Sequence, residues 1–200
     1  MRFRVFAFSV ALGSLLACDH NPAAPTSGPA MSAAAAQSAS ASPAATSAAS
    51  SGRGRENVLV NMADACDPDS FNAIIGPGTC VRNGGMPFER FTTLLQQLGF
   101  VGPWHFAPNN ANVVVGQTFV AENMGGEVHT FTEVSEFGGG IVPILNQLGG
   151  FGAPAHECTT LEDDDFVPPG GTYTEKVDHT GSVKFQCCIH PWMRLEATAK

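Results

Sequence analysis

The chain has 200 residues, 44 % of them hydrophobic and only 14 % charged, and its acidic excess gives a formal charge of −8. Lysine and arginine form no cluster, which argues against nucleic acid as a partner. Once the biased N-terminal third is set aside, about 145 residues remain, enough for one domain with a proper core.

The first segment reads as a targeting signal rather than as fold. Arg2 and Arg4 precede a short apolar stretch over residues 5–17, too short to span a bilayer comfortably. It ends in Leu15-Leu16-Ala17-Cys18, which resembles a bacterial lipobox. That resemblance implies a signal peptide over residues 1–17 and a lipid-modified Cys18 as the mature N-terminus. Two or more acyl chains there would anchor the protein stably where one would not. Residues 18–54 are Ala, Ser, Pro, Thr and Gly with almost no charge and no apolar face to bury, so they read as a disordered tether. A coil of that length spans roughly 30–35 Å.

The folded domain is expected over residues 55–200. Residues 57–62 (Asn-Val-Leu-Val-Asn-Met) read as a first strand, and 63–86, broken by Gly76-Pro77-Gly78 and Gly84-Gly85, as loop. Phe88, Phe91, Leu94, Leu95 and Leu98 recur at helical spacing, with Pro87 at the start and Gly99 at the stop, and predict a helix over 87–98. Strand patterns follow at 104–106, 112–115, 118–123, 128–134, 173–177, 182–187 and 195–199, separated by Gly and Pro breaks. Between the fourth and fifth of these lies an insertion, residues 135–165, expected to be a packed loop or short helix covering a sheet. Its acidic run, Glu162-Asp163-Asp164-Asp165, reads as a solvated loop. Many short strands between breakers predict an all-β sandwich.

The C-terminal run Cys187-Cys188-Ile189-His190-Pro191-Trp192-Met193 carries the chemistry. A thiolate, an imidazole and a thioether within seven residues are ligands that copper accepts in both oxidation states, and a trigonal His₂Cys set with a long axial Met defines a blue-copper site. The second imidazole must come from elsewhere, and His129, in Gly126-Glu127-Val128-His129-Thr130-Phe131-Thr132, is the candidate. Pro191 stiffens the loop between His190 and Met193. A thioether also argues for copper over zinc, which prefers Cys, His and carboxylate.

The Cys-x-x-His-x-x-Met spacing is similar to the short ligand loop of amicyanin, and His129-Thr130-Phe131-Thr132 resembles a segment of bacterial plastocyanin-like proteins. The chain thus resembles the cupredoxins. The resemblance implies an all-β, Greek-key sandwich with one short helix in an insertion, and one copper ion held by His129, Cys187, His190 and Met193. It implies single-electron transfer between extracytoplasmic redox proteins, and no enzymatic activity. Many relatives have Asn directly after the first ligand His, where it braces the ligand loop; here Thr130 stands there. They also read Lys-Gly or Arg-Gly after the Met, where this chain has Arg194-Leu195.

With Cys18 assigned to lipid and Cys187 to metal, Cys66, Cys80, Cys158 and Cys188 remain, and four cysteines allow three pairings. The expected one is Cys66–Cys80, flanking a Gly/Pro loop, with Cys158–Cys188. Adjacent strand residues face opposite ways, so Cys188 points away from a metal on Cys187 and is free to pair. His105, His156 and His179 have no comparable support, and His156-Glu157-Cys158 is a weak second metal motif. The alternative function is copper delivery, storage or sensing by the same ligands. A multicopper enzyme would need a further His cluster, which the sequence lacks.

Overall fold

The computed structural model describes residues 56–200. The expected signal peptide, Cys18 and the tether lie outside the described residues. No helix among those residues is long and apolar enough to cross a membrane.

Two four-stranded mixed sheets face one another. The first runs β2 (His105–Ala107), β1 (Val58–Ala63), β4 (Thr118–Asn123), β8 (Thr172–Lys176), with β1 and β4 parallel and the other neighbours antiparallel. The second runs β3 (Asn110–Val113), β10 (Arg194–Ala199), β9 (Gly181–Gln186), β6 (Thr132–Glu133), with β3 and β10 parallel. Alternation assigns the inner faces: Phe119, Ala121 and Asn123 of β4 are buried, and so are Leu195, Ala197 and Ala199 of β10. The sheets meet where Phe119 packs on Phe185 of β9, ring centroids 5.0 Å apart, with Phe131 stacked on Phe185 at 4.2 Å.

Phe131 explains why the single strand expected over 128–134 is two. β5 (His129–Thr130) pairs with β7 (Phe166–Val167), a strand the sequence did not suggest, while β6 pairs with β9. Between them Phe131 drops into the core between the sheets, and the chain passes from one pairing partner to the other.

The sandwich expected from the sequence is present, and its helical content is higher than one short helix. α1 (Pro68–Ile74) lies within the stretch read as loop. Its start is specified locally: Asp67 accepts the Ser70 amide at 3.0 Å, and Pro68 stands where a missing N–H costs nothing. Seven residues make a marginal helix alone. This one is held by Phe71, which packs on Phe88, Phe91 and Trp104, and by the Cys66–Cys80 disulfide bracketing it. α2 (Phe88–Leu98) matches the expected helix and stops at Gly99, whose φ of +76° suits the left-handed cap. The Ser70 hydroxyl accepts the Phe88 amide at 3.0 Å and so caps α2 from a neighbouring helix.

The insertion contains α3 (Pro143–Gly149) and two 3₁₀ turns. It packs on the C-terminal ligand loop. The Ile141 amide donates to the Cys188 carbonyl at 2.7 Å, and a Cβ at Gly140 would overlap that same carbonyl. The Cys158–Cys188 disulfide closes the attachment. Both expected disulfides are therefore present, and Cys187 is the free cysteine of the described residues.

Candidate metal centre

Cys187 follows the last residue of β9, and His129 opens β5, 58 positions earlier. β6, which follows β5 after one residue, pairs with β9 and so brings the two to one end of the sandwich. The Cys187 sulfur lies 3.8 Å from His129 Nδ1 and 3.8 Å from His190 Nδ1. One ligand atom of each residue falls within 4.8 Å of the others, and all three side chains are buried. The Thr130 and His190 amides both point at the sulfur at 3.4 Å, donors that favour a thiolate.

The ligand loop is closed by its own backbone. The Cys187 amide donates to the Met193 carbonyl at 3.0 Å, and the Met193 amide to the His190 carbonyl at 2.9 Å. Arg194 Nε donates to the Pro191 carbonyl at 2.7 Å, so this side chain tightens the turn. Met193 is fully buried on this loop. Trp192 packs as a wall, its ring 5.4 Å from His190 and 6.1 Å from Phe151.

Thr130 braces the loop through its hydroxyl. Its hydroxyl accepts the Cys188 amide at 2.8 Å and is itself met by the Thr132 hydroxyl at 3.0 Å. The strand bearing His129 is thereby tied to the loop bearing Cys187.

Two buried carboxylates stand behind the imidazoles, and sequence reasoning passed over both. Asp64 Oδ2 is 3.0 Å from His129 Nε2 and also accepts the Gly126 and Glu127 amides at 2.8 and 2.9 Å. The close fit demands glycine: a Cβ at Gly125 would strike the Asp64 carboxylate, and one at Gly126 the Cys66 sulfur. Burial alone would raise the Asp64 pKa, but the His129 hydrogen bond and the two amides hold it well below the usual carboxylate range. Burial works against a charged His129, yet the Asp64 bond and then the Cys187 sulfur raise its pKa to about 9. For Cys187 burial also opposes charge, and contacts with His129 and His190 outweigh it and push the thiol pKa down.

Glu127 stands 3.6 Å from His190 Nε2, and its Oε2 accepts the Trp104 indole N–H at 2.7 Å. Burial raises its pKa, against the opposing pull of His190 and Trp104. With both Nε2 atoms turned to carboxylates, both Nδ1 atoms face the sulfur. A carboxylate behind a metal-binding imidazole fixes its tautomer and increases its basicity.

The remaining candidates are elsewhere. Cys158 is in a disulfide and His156 is exposed, so His156-Glu157-Cys158 assembles no metal site. His179 pairs at the surface with Asp178 at 2.9 Å, and exposed His105 contacts the Pro103 carbonyl. Asp64, Cys66 and Glu127 also cluster, but the Cys66 sulfur is in a disulfide and is no ligand.

Neither a family model nor a curated protein matches the chain. Among solved structures it is similar to a purple cupredoxin from Nitrosopumilus maritimus, at 13 % identity and a TM-score of 0.41 over 72 % of this chain and 100 % of that one. It is similar to the Cu(I) form of a point mutant of amicyanin at 14 % identity and a TM-score of 0.33, over 48 % of this chain and 73 % of the other. It is also similar to oxidised plastocyanin from Dryopteris crassirhizoma at 19 % identity and a TM-score of 0.33, over 48 % and 89 % of the two chains.

Proposed function

We propose that this chain is a type 1 copper protein that carries single electrons between extracytoplasmic redox partners, tethered to a membrane through a lipid on Cys18. The observation that carries the reading is the position of the Cys187 sulfur, equidistant from two buried imidazole Nδ1 atoms. A thiolate and two imidazoles, with the thioether of Met193 on the same loop as a fourth donor, would form a donor set suited to copper in both oxidation states. Copper would supply the one-electron couple. The chain supplies a dry, braced pocket: the Thr130 and His190 amides hold the thiolate, Asp64 and Glu127 orient the imidazoles, and the closed loop limits rearrangement.

Burial of His129, Cys187 and His190 favours a retained ion over an exchangeable one, and so electron transfer over copper delivery. The test is the visible spectrum after one equivalent of Cu(II), with Cys187→Ser as control. An intense thiolate-to-copper band, absent from the variant and bleached reversibly by a reductant, is expected. A folded protein with no such band would overturn the reading, and rapid loss of copper to a chelator would move it to delivery.

A further inference from the structure

The three helices lie outside the two sheets and gather over one edge of the metal centre. Between them lies a cavity of about 230 Å³. Its walls include Phe71 of α1, Phe91 of α2 and Leu145 of α3, while Ile75 and Ile144, each more than half exposed, stand at its mouth. Its floor is different in kind: Glu127 and His190 line it, both more than nine-tenths buried. A carboxylate with one oxygen engaged by Trp104 thus forms, beside His190, the polar end of a largely apolar chamber.

Size, lining and polarity together define an occupant. An apolar cavity of roughly 150 Å³ already holds a benzene ring, so this one takes a single ring with a small substituent. Phenylalanine walls favour a flat ring, in edge or offset contact. The buried carboxylate accepts a hydrogen bond in either protonation state, and a ring with no donor would strip it of solvent without return. We infer that this cavity is a binding site for a single-ring molecule bearing one hydroxyl or amine donor, with the donor directed at Glu127 beside His190. A ligand seated there would touch the outer edge of a metal-binding imidazole. The inference goes beyond electron carriage and stands or falls without copper.

The test uses the metal-free full-length chain, with phenol, aniline and toluene as probes. Methyl-detected NMR would follow Ile75, Val142, Leu145 and Ile189, with Val183 and Leu195 of the sheets as reference. Saturable shifts confined to the cavity methyls are expected for phenol and aniline, with toluene at least tenfold weaker. Ile144→Trp, a change at the exposed mouth that leaves the core intact, should abolish them while the reference methyls stay in place. Equal binding of toluene and phenol would overturn the role of Glu127. No saturable binding by any probe would overturn the site. Cavity-methyl shifts that follow protein concentration without a probe would identify a contact between two copies instead, and equally overturn it. If the copper band forms while these titrations fail, the cavity inference alone is lost.

Discussion

Asp64 grips His129 from behind: its Oδ2 stands 3.0 Å from Nε2, which leaves Nδ1 to face the Cys187 sulfur at 3.8 Å. The grip is itself built in, because the Gly126 and Glu127 amides and the Cys66 amide all donate to the same carboxylate. Orientation and tautomer of this imidazole are therefore set by one side chain, and its charge by that side chain together with the Cys187 sulfur.

Asp64→Asn keeps an acceptor in nearly the same shape but removes the charge. Loss of a carboxylate behind a metal-binding His costs about 10–100-fold in affinity, and chelator competition should show a drop in that range for copper. Less negative charge near the site also favours Cu(I), so a redox titration should show a higher reduction potential. A variant with both values unchanged would show that Asp64 serves the fold alone.

The metal-free protein should show an unusual dependence of stability on pH. His129 has its pKa raised to about 9, so its contribution is fully present below the ordinary histidine value of about 6.5 and is lost as pH rises through about 9. Cys187 is lowered, so its contribution is full above the ordinary cysteine value of about 8.5 and is lost as pH falls through its depressed value. Across the neutral range the two contributions oppose each other, because folding raises the pKa of His129 and lowers that of Cys187. The proton counts cancel. Urea unfolding should therefore give a flat response around neutrality, with stability falling off in acid as the Cys187 thiolate takes up a proton. A steady decline from about pH 6.5 upward would mean that His129 titrates beside a neutral thiol.

Thr130→Val removes the hydroxyl that accepts the Cys188 amide and keeps the shape of the side chain. Leaving that buried N–H without a partner should cost about 1–3 kcal/mol in denaturant unfolding. Thr130→Ser should recover most of it. Valine and threonine variants of equal stability would refute the bracing role.

Replacing both Cys158 and Cys188 by Ala removes a bridge that spans 30 positions. Chain entropy predicts a loss of roughly 3–4 kcal/mol. Because the bridge fastens the insertion to the ligand loop, amide exchange should accelerate in α3 and around Ile141 more than in β1 or β4. Uniform acceleration would show that the insertion is held by packing alone.

The loop after β9 stood out in the sequence because its chemistry is local: Cys187, His190 and Met193 fall within seven residues, and the structure gathers Cys187 and His190 with His129. His129 was legible through its strand pattern, and the structure places it at the same sulfur. The two carboxylates were not. Asp64 lies in a stretch with no periodicity, and its proximity to His129 arises only when the start of the domain folds beside Gly125-Gly126. For Glu127 a signal existed, since an acid two residues before a buried histidine in an extended chain shares its face. α1 was hidden by glycines and prolines on its C-terminal side, although Asp67-Pro68-Asp69-Ser70 spells a helix start. β7 consists of two residues and exists only through its pairing with β5. The division at Phe131 follows from packing between sheets, and alternation along one strand does not report it.

Cys187 and Cys188 are consecutive in the chain and meet opposite fates: one sulfur stays reduced between two imidazoles, the other is oxidised to Cys158. Maturation of this protein is therefore a sorting problem between neighbours. An oxidase that bridges Cys158 to the wrong one of the pair leaves a chain with one disulfide too early by a single residue, its thiolate spent and its strand register pulled out of step. Such a molecule cannot offer the Cys187 sulfur to the two imidazoles unless thiol exchange reopens the bridge. The yield of correctly bridged protein thus depends on fidelity of thiol exchange between two neighbours.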